Sequence, residues 1–596
     1  MQLQHRDELD GLRAIAFFAV VLNHAGLSKV GGIIGLDLFF VISGFLISRI
    51  VVNELAVGTF SFARFYERRA RRLVPALIPV VAFVLIAGYV LLLPDDYENL
   101  AQSAVATLLF GNNVLLTLTS GYWDLASSFK PLLHTWSLGL EEQFYFAYPI
   151  AAVLVLKYRP RLFTPLLMVG IVISLTLSIA LTPTQPDASY YLLHTRAWEF
   201  LLGALTAQIK PRVHVSEPLS NMLALAGLGV IIASIALIHE GAPYPSWRAL
   251  APCIGTMLIL LFGETRGVAN RILCWPPFVL IGLASYSIYL WHQPLFAFAR
   301  TSSATPPGLP LMLTLAAMSI LIGYLSWRFI EQPFRDRKRW RPRTFVLLSI
   351  ASTALLVAAG LAIHFASGFP QRTPGMGLER GDYAAYNNGP YKLQKDAFTS
   401  SSRPKLVVVG SSTARDLINA MIESGRFRDY EIIYRRDLVF CALERSGKVA
   451  RQLAEAADAI IFVASVDPGI RCKTSEAQRA ASFAGKRWLW VGPKHFGYNL
   501  NYLKRIPLAD RAAARASLLP ETLQANRDYA RLAPPDRYVD ILAIMDRRYG
   551  GMPVFDAQGR ILSADRLHLT QAGAAFFGAT IFDDPAWDPV LALKDR

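Results

Sequence analysis

"GLRAIAFFAVVLNHAG", residues 11–26, is an apolar run long enough to enter a bilayer, yet it carries Arg13, Asn23 and His24. Ionisable side chains inside a membrane segment are costly and usually mark function. Arg13 and His24 are eleven residues apart. At ~100° per residue that returns to within roughly 20° of the same helix face, with about 16 Å between them along the axis. Both side chains therefore share a face, Arg13 near the start of the span and His24 near its far end. Asp10 lies one turn before Arg13, placed to pair with it. No small-residue cleavage site follows and many further apolar runs do, so the segment reads as a retained helix rather than a secretory signal.

The rest of the chain agrees with a membrane reading. Of its 596 residues 53% are hydrophobic and 17% charged, too apolar for an ordinary soluble protein of this length. The formal charge of +16 does not point to nucleic acid. The arginines cluster in short loops between apolar runs, the pattern of cytoplasmic loops under the positive-inside rule. Cys253, Cys274, Cys441 and Cys472 show no metal-ligand spacing, and no metal is expected.

Apolar segments lie near 12–28, 31–52, 73–93, 98–118, 138–156, 162–181, 192–208, 218–238, 249–263, 278–298, 309–330 and 344–366. The loops "RFYERRARR", "KYRPR", "QIKPR", "ETRGVANR" and "RDRKRWRPR" are basic and belong in the cytoplasm; "PDDYEN", "TPTQPDAS", "HEGAPYPS" and "TSSATPPG" belong outside. With the N-terminus cytoplasmic, these assignments alternate only if one segment fails to cross. The weakest is "ENLAQSAVATLLFGNNVLLTL", 98–118, interrupted by Gln102, Ser103 and a Gly111-Asn112-Asn113 turn signal. It is expected to be re-entrant or to lie on the outer surface. That leaves ten spans through residue 330 and an eleventh at 344–366, carrying the chain outward.

From about residue 367 the composition turns to Gly, Pro, Ser, Tyr and charged residues, a linker or an irregular extension of the next domain. Beyond it, "KLVVVG", "AIIFVAS" and "RWLWVG" read as buried parallel strands, and "TARDLINAMI" and "SEAQRAASFA" as helices. The expected architecture is a polytopic all-α membrane domain over 1–340, a linking helix over 341–367, a linker over 368–403, and an α/β domain over 404–596. Parity places that last domain outside the cytoplasm, where a Cys441–Cys472 disulfide is chemically allowed.

Further polar residues interrupt the apolar runs. "GLDLFFVISGFL" holds Asp37, and "FYERRARRL" gathers Arg68, Arg69, Arg71 and Arg72, either a membrane anchor or guanidinium groups suited to a phosphate-bearing ligand. "HTWSLGLEEQFYF" sets Ser137, Glu141 and Tyr145 on one helix face, while Glu142 points elsewhere. "SYSIYLWHQP" adds Tyr286, Tyr289, Trp291 and His292, and "WRFIEQPFR" adds Glu331 and Arg335. In this order, over roughly residues 5 to 335, the chain resembles the acyltransferase-3 family of polytopic membrane acyltransferases. The resemblance implies transfer of an acyl group, commonly acetyl from acetyl-CoA, to a sugar hydroxyl outside the cytoplasm. It makes Arg13 and His24 the family's Arg-to-His motif, with His24 catalytic. The family's RxxR motif falls on Arg69 and Arg72, although Arg68 and Arg71 share the spacing; Glu142 and Gln143 take the "EEQFY" positions. A near-neutral histidine serves as general base or as transient acyl carrier.

"KLVVVGSSTARDL" reads as strand, tight turn and helix, presenting a serine at a helix N-terminus, and "SADRLHLTQAGA" places Asp565 three residues before His568. Singly, Ser412 reads as a helix cap and Asp565 as a turn residue; together in an α/β domain they suggest a Ser-His-Asp site. Over about 404–583 the chain resembles the SGNH/GDSL esterase superfamily. That resemblance makes Ser412 the nucleophile, His568 the base and Asp565 its orienter. Ser411 stands where aspartate is usual, which leaves the choice between the two serines open, and "VASVDPG" lacks the oxyanion-hole asparagine. The combined expectation is a bacterial inner-membrane O-acetyltransferase, N-terminus cytoplasmic and α/β domain periplasmic. It would use acetyl-CoA on an envelope glycan or lipid-linked saccharide such as lipopolysaccharide O-antigen. The rival is a transporter or flippase with a tethered glycan esterase.

Overall fold

The computed structural model describes residues 5–27, 31–119, 127–238, 243–378, 383–438, 446–465 and 485–594. Cys441, Cys472 and the segment "SEAQRAASFA" lie outside the described residues. The chain divides into two compact units. The first comprises Met1–Val90, Tyr97–Arg300 and Pro307–Phe365; the second comprises Leu91–Asp96, Thr301–Pro306 and Ala366–Arg596.

The first unit is helical. Six helical stretches among the described residues are long and apolar enough to cross a membrane: Gly32–Ala56, Phe62–Leu91, Pro160–Leu181, Glu217–Leu237, Leu309–Arg335 and Pro342–Phe365. Six such stretches in one chain are the pattern of a multi-pass membrane protein. Helices Asp7–His24, Thr135–Tyr158 and Pro276–Thr301 carry Arg13 and His24, Glu141 and Glu142, and His292 respectively. The 98–118 segment is broken into helices Pro94–Leu108 and Asn112–Thr119, of 15 and 8 residues, each short of the ~20 a span requires. The break falls at Phe110, whose φ is 54°.

Small residues let particular helices touch backbone to backbone, the packing device of membrane bundles. A Cβ on Gly44 would stand 1.9 Å from the Phe200 carbonyl oxygen, so helices Gly35–Ala56 and Leu193–Ile209 meet without intervening side chains. A Cβ on Gly282 would likewise lie 1.9 Å from the Asp10 carbonyl, which seats helix Pro276–Thr301 directly on Asp7–His24.

The second unit is built on five parallel strands: β1 Lys405–Val409, β2 Glu431–Arg435, β3 Ala459–Val463, β4 Arg487–Val491 and β5 Tyr538–Val539. Their order is β2-β1-β3-β4-β5, with Val408 opposite Tyr434 and Ile461. Leu406 and Val408 face one core, shared with Ile461 and Leu489. Val407 and Val409 face the other, shared with Ile460, Phe462 and Trp490. Both faces being buried explains why β1, β3 and β4 read as continuous apolar runs. β2 and β5 escaped the sequence reading because "EIIYR" is charged at both ends and β5 has two residues. The strand order reverses between β1 and β3, and in doubly wound sheets ligands bind beyond the strand C-termini at such a point. Ser412 follows β1 there.

Candidate functional site

Among the described residues of the helical unit, two cavities collect the side chains singled out in the sequence. The first, about 180 Å³, is lined by Arg13, Arg69, Arg72, Glu141, Tyr145 and Tyr286 among others. Arg13 is oriented by Asp10, whose Oδ1 accepts from Nη1 at 2.9 Å. Arg69 donates to Glu142 Oε1 at 3.2 Å and lies 3.9 Å over the Tyr145 ring. The helical face expected from Ser137, Glu141 and Tyr145 does line this cavity. The Glu141 carboxylate accepts from Ser43 at 2.9 Å and Tyr145 at 3.4 Å.

The four clustered arginines separate into two pairs. Arg69 and Arg72 line the cavity. Arg68 turns away to Glu54 at 2.8 Å, and Arg71 is buried against Glu67 and the carbonyls of Phe334 and Trp340. The two readings of the RxxR spacing thus place their side chains in different surroundings. Gln143 binds the Phe110 carbonyl and Asn113 Oδ1, at 3.2 and 2.9 Å, and so holds the break in the 98–118 segment.

The second cavity, about 420 Å³, holds His24 with His134, Arg300 and the aromatic rings of Trp136, Tyr190 and Tyr191. Leu36 and Tyr289 line both cavities, so the two are adjacent. Arg13 and His24, on one helix face, therefore serve different cavities. His24 Nδ1 lies 3.1 Å from His292 Nε2, and Arg300 donates to the His24 carbonyl. Tyr289 donates to the His134 carbonyl at 2.8 Å and pairs with Ser137 Oγ at 2.9 Å.

Asp37 lines neither cavity. It is fully buried, accepting from Arg196 at 2.7 Å and from Tyr244, with Glu199 3.2 Å from the same guanidinium. Two carboxyls and one arginine in a dry interior are affordable only as a paired cluster. The Gly44–Gly203 approach of the two helices makes that pairing possible: a Cβ on Gly203 would stand 2.0 Å from the Val41 carbonyl. Arg196 and Glu199 were missed in the sequence, although two ionisable residues inside the apolar run 192–208 were a legible signal. Glu331 accepts from Ser287 at 2.8 Å and lies 3.6 Å from Arg335.

In the second unit, Ser412, Asp565 and His568 converge. His568 Nε2 lies 2.6 Å from Ser412 Oγ, and Nδ1 lies 2.5 Å from Asp565 Oδ2. Ser412 is the first residue of helix Ser412–Ser424, so Ser411, not Ser412, holds the cap position, and its hydroxyl makes no cap bond. The structure brings Ser412 to the imidazole, while Ser411 Oγ lies 3.5 Å from Thr413 Oγ1. Burial pushes the Asp565 carboxyl up, but the His568 hydrogen bond and charge and the N–H groups of His568 and Leu567 outweigh it and hold it below its ordinary value. The region around "VASVDPG" leaves the described residues after Ser465.

A second layer holds the histidine loop. Buried Asp416, one turn after Ser412, accepts from the Leu569 N–H at 3.2 Å and from Lys494 at 2.6 Å; Lys494 also donates to the Leu567 carbonyl. One ion pair thereby grips the backbone on both sides of His568. Tyr383, from the expected linker, donates to the His568 carbonyl at 2.8 Å, and Arg415 donates to the Asn387 carbonyl at 3.0 Å. Residues 383–391 therefore pack as an extension of this unit. Lys494 and Tyr383 carried no sequence motif.

Comparison with known proteins agrees with the helical unit. Residues 6–328 match the family described as Acyltransferase domain. "Peptidoglycan O-acetyltransferase OatA" of Listeria monocytogenes is 31% identical over 344 residues, 55% of each chain. "Putative membrane-bound transacylase BcsY" of Komagataeibacter xylinus is 32% identical over 360 residues, 60% of this chain and 89% of that one. "O-acetyltransferase OatA" of Staphylococcus aureus is 27% identical over 345 residues, 55% of this chain and 57% of that one. The match thus spans little more than half the length of the OatA relatives. No solved structure matches the chain.

Proposed function

The chain belongs to the Acyltransferase domain family, and we propose that it moves acetyl from cytoplasmic acetyl-CoA across a bacterial inner membrane to a hydroxyl of an envelope glycan. The observation that carries this reading is the pair of adjacent cavities, one lined by three arginines and the next holding His24. Guanidinium groups suit the phosphates of a CoA donor. Arg69 and Arg72 lie within the basic stretch "RFYERRARR", which the structure places at the start of helix Phe62–Leu91 rather than in a loop and which the positive-inside rule assigns to the cytoplasmic side. On that orientation Arg13, Arg69 and Arg72 hold the donor's charged end and Leu36 and Tyr289 flank the course of its thioester arm toward His24. His24 acts as general base for the attacking hydroxyl or takes the acyl group itself. In either course the thioester C–S bond breaks and CoA leaves as its thiol, with the proton that the attacking group gives up.

The Ser412–His568–Asp565 geometry supports a relay in the periplasm. His568 removes the Ser412 proton as Oγ takes acetyl from its carrier, Asp565 orients and stabilises the resulting imidazolium, and His568 hands that proton to the departing carrier. His568 then takes the proton of the attacking sugar hydroxyl and returns it to Ser412 Oγ as the serine ester C–O bond breaks. The names of the OatA relatives, which specify O-acetyltransfer and in one case peptidoglycan, support a glycan acceptor, O-antigen or another surface polysaccharide. A second reading is favoured by one observation. Trp136, Tyr190 and Tyr191 wall the His24 cavity, and such rings suit the apolar face of a sugar. The glycan would then be acetylated there directly, and the α/β unit would bind it or remove acetyl groups.

Labelled acetyl followed from acetyl-CoA into envelope glycan tests both. Full transfer by His24→Ala overturns the proposal. Full transfer by Ser412→Ala removes the relay and leaves the helical unit acting alone.

A further inference from the structure

His292 is fully buried on helix Pro276–Thr301. Its Nδ1 lies 2.5 Å from the carbonyl oxygen of Tyr289, one turn earlier. A carbonyl only accepts, so Nδ1 carries a proton, and in a neutral imidazole Nε2 is then a lone pair. That Nε2 lies 3.1 Å from His24 Nδ1, with the two rings 18° from parallel. A lone pair facing a ring nitrogen requires a proton on the other side. We infer that His292 is a positioning residue that holds His24 in the Nδ1-protonated tautomer and leaves His24 Nε2 as the lone pair that works on the acyl group.

The alternative assignment needs a doubly protonated His292 donating to His24 Nδ1. Its surroundings oppose a second positive charge. Around it lie the rings of Phe17, His134, Tyr289 and Phe296, and the Arg300 guanidinium is bonded to the backbone of His24 itself. A buried cation without a carboxylate partner is strongly disfavoured. The Tyr289 carbonyl is in turn held by the helix, and the Tyr289 side chain is anchored to the His134 carbonyl and Ser137. The proton placement therefore follows from the backbone: the Tyr289 carbonyl sets His292, and His292 sets His24. The arrangement parallels second-shell partners that fix the tautomer of a working histidine through its other ring nitrogen.

The inference rests on the reading of His24 as the group acting on the acyl donor, and the test separates the two. Full-length protein in lipid nanodiscs is given labelled acetyl-CoA, and consumption is measured for wild type, His292→Phe, His292→Leu and His292→Gln, with thermal stability followed in parallel. The apolar variants remove the acceptor, and kcat is expected to fall on the order of a hundredfold with KM for acetyl-CoA unchanged. His292→Gln offers a carbonyl oxygen to His24 Nδ1–H and an amide N–H to the Tyr289 carbonyl, and is expected to recover most of that loss. Wild-type kcat in a folded His292→Phe variant overturns the inference, as does equal loss in the Gln and apolar variants at unchanged stability. If the apolar variants do not accumulate, ¹⁵N-histidine spectra of the wild type decide, with the His24 signal identified by its loss in His24→Ala. A protonated Nδ1 and bare Nε2 support the inference, and the reverse overturns it. Wild-type protein inert toward acetyl-CoA overturns the donor reading instead, while the ¹⁵N spectrum still decides the tautomer.

Discussion

In the helical unit His24 meets His292, 268 residues away in sequence, through a contact between two neutral-capable rings. In the α/β unit His568 meets Asp565, three residues away on the same loop, and Ser412, 156 residues away at the end of β1. One histidine is flanked by a second imidazole and the other by a carboxylate. A carboxylate stabilises the imidazolium that forms when His568 takes a proton; an imidazole stabilises it far less. In the proposed relay, Asp565 therefore lets His568 cycle through a charged state. His24 sits where a tautomer is enforced and charge is not compensated. The difference fits the two successive steps of the proposed relay, donor handling at the His24 cavity and ester exchange beyond the C-terminal end of β1.

The largest expected effects break this comparison outright. His24→Ala should lower both acetyl-CoA consumption and glycan acetylation by about 10⁴-fold or more, the scale of removing a central catalytic group. Ser412→Ala should lower glycan acetylation comparably while acetyl-CoA consumption persists, and Ser411→Ala should do neither. Identical profiles for His24→Ala and Ser412→Ala in isotope-tracing assays would sink the division into two steps.

The next effect concerns how the α/β site is held. Asp416→Asn leaves the Lys494 ammonium buried without its countercharge and should cost about 3–5 kcal/mol, read as a lower melting temperature of this unit in the full chain. Lys494→Met together with Asp416→Leu removes both charges and should recover much of that stability. Glycan acetylation should nonetheless stay depressed, because the backbone flanking His568 is no longer gripped. Recovery of both together would reduce the ion pair to a stabilising contact.

A smaller effect sharpens the donor cavity. Arg72→Gln should raise KM for acetyl-CoA roughly tenfold, the value of one charge-assisted contact, with kcat little changed. Arg68→Gln, whose side chain turns to Glu54, should leave KM near wild type. The reverse ranking would assign donor binding to the other arginine pair.

The smallest effect is a pH dependence. The Asp565 carboxyl is held below its ordinary value in the folded protein. It therefore contributes stability that is present above the ordinary carboxylate range near ~3.9 and is lost as pH falls through the depressed folded value. Hydrogen exchange at the Leu567 and His568 amides, which donate to Asp565 at 3.0 and 2.8 Å, should lose protection only below that range. Loss near pH 6 would mean that the carboxylate does not hold the loop.

Much of the candidate site was legible because its elements are local. Arg13 and His24 share one helix, the Ser137–Glu141–Tyr145 face follows from helical period, and Asp565 and His568 lie on one short loop. The apolar continuity of β1, β3 and β4 announced a sheet buried on both faces. β2 and β5 stayed hidden because short or charge-flanked strands carry little periodic signal. The weakness of the 98–118 segment was visible in Gly111-Asn112-Asn113, but its repair by Gln143 was not.

Sequence alone determined the class of chain, the membrane character and the residues worth examining, since hydrophobic length, charge placement and local motif spacing are properties of the linear chain. Tertiary structure decided which of those residues meet. It sent Arg69 and Arg72 into a cavity and Arg68 and Arg71 out of it, brought Ser412 rather than Ser411 to His568, withdrew Asp37 into a cluster with Arg196 and Glu199, and set His292 against His24. These choices depend on close approaches such as Gly44 against Phe200 and Gly282 against Asp10. A hydrogen bond requires atoms within ~3 Å, and no pattern along a chain specifies that distance between residues hundreds of positions apart.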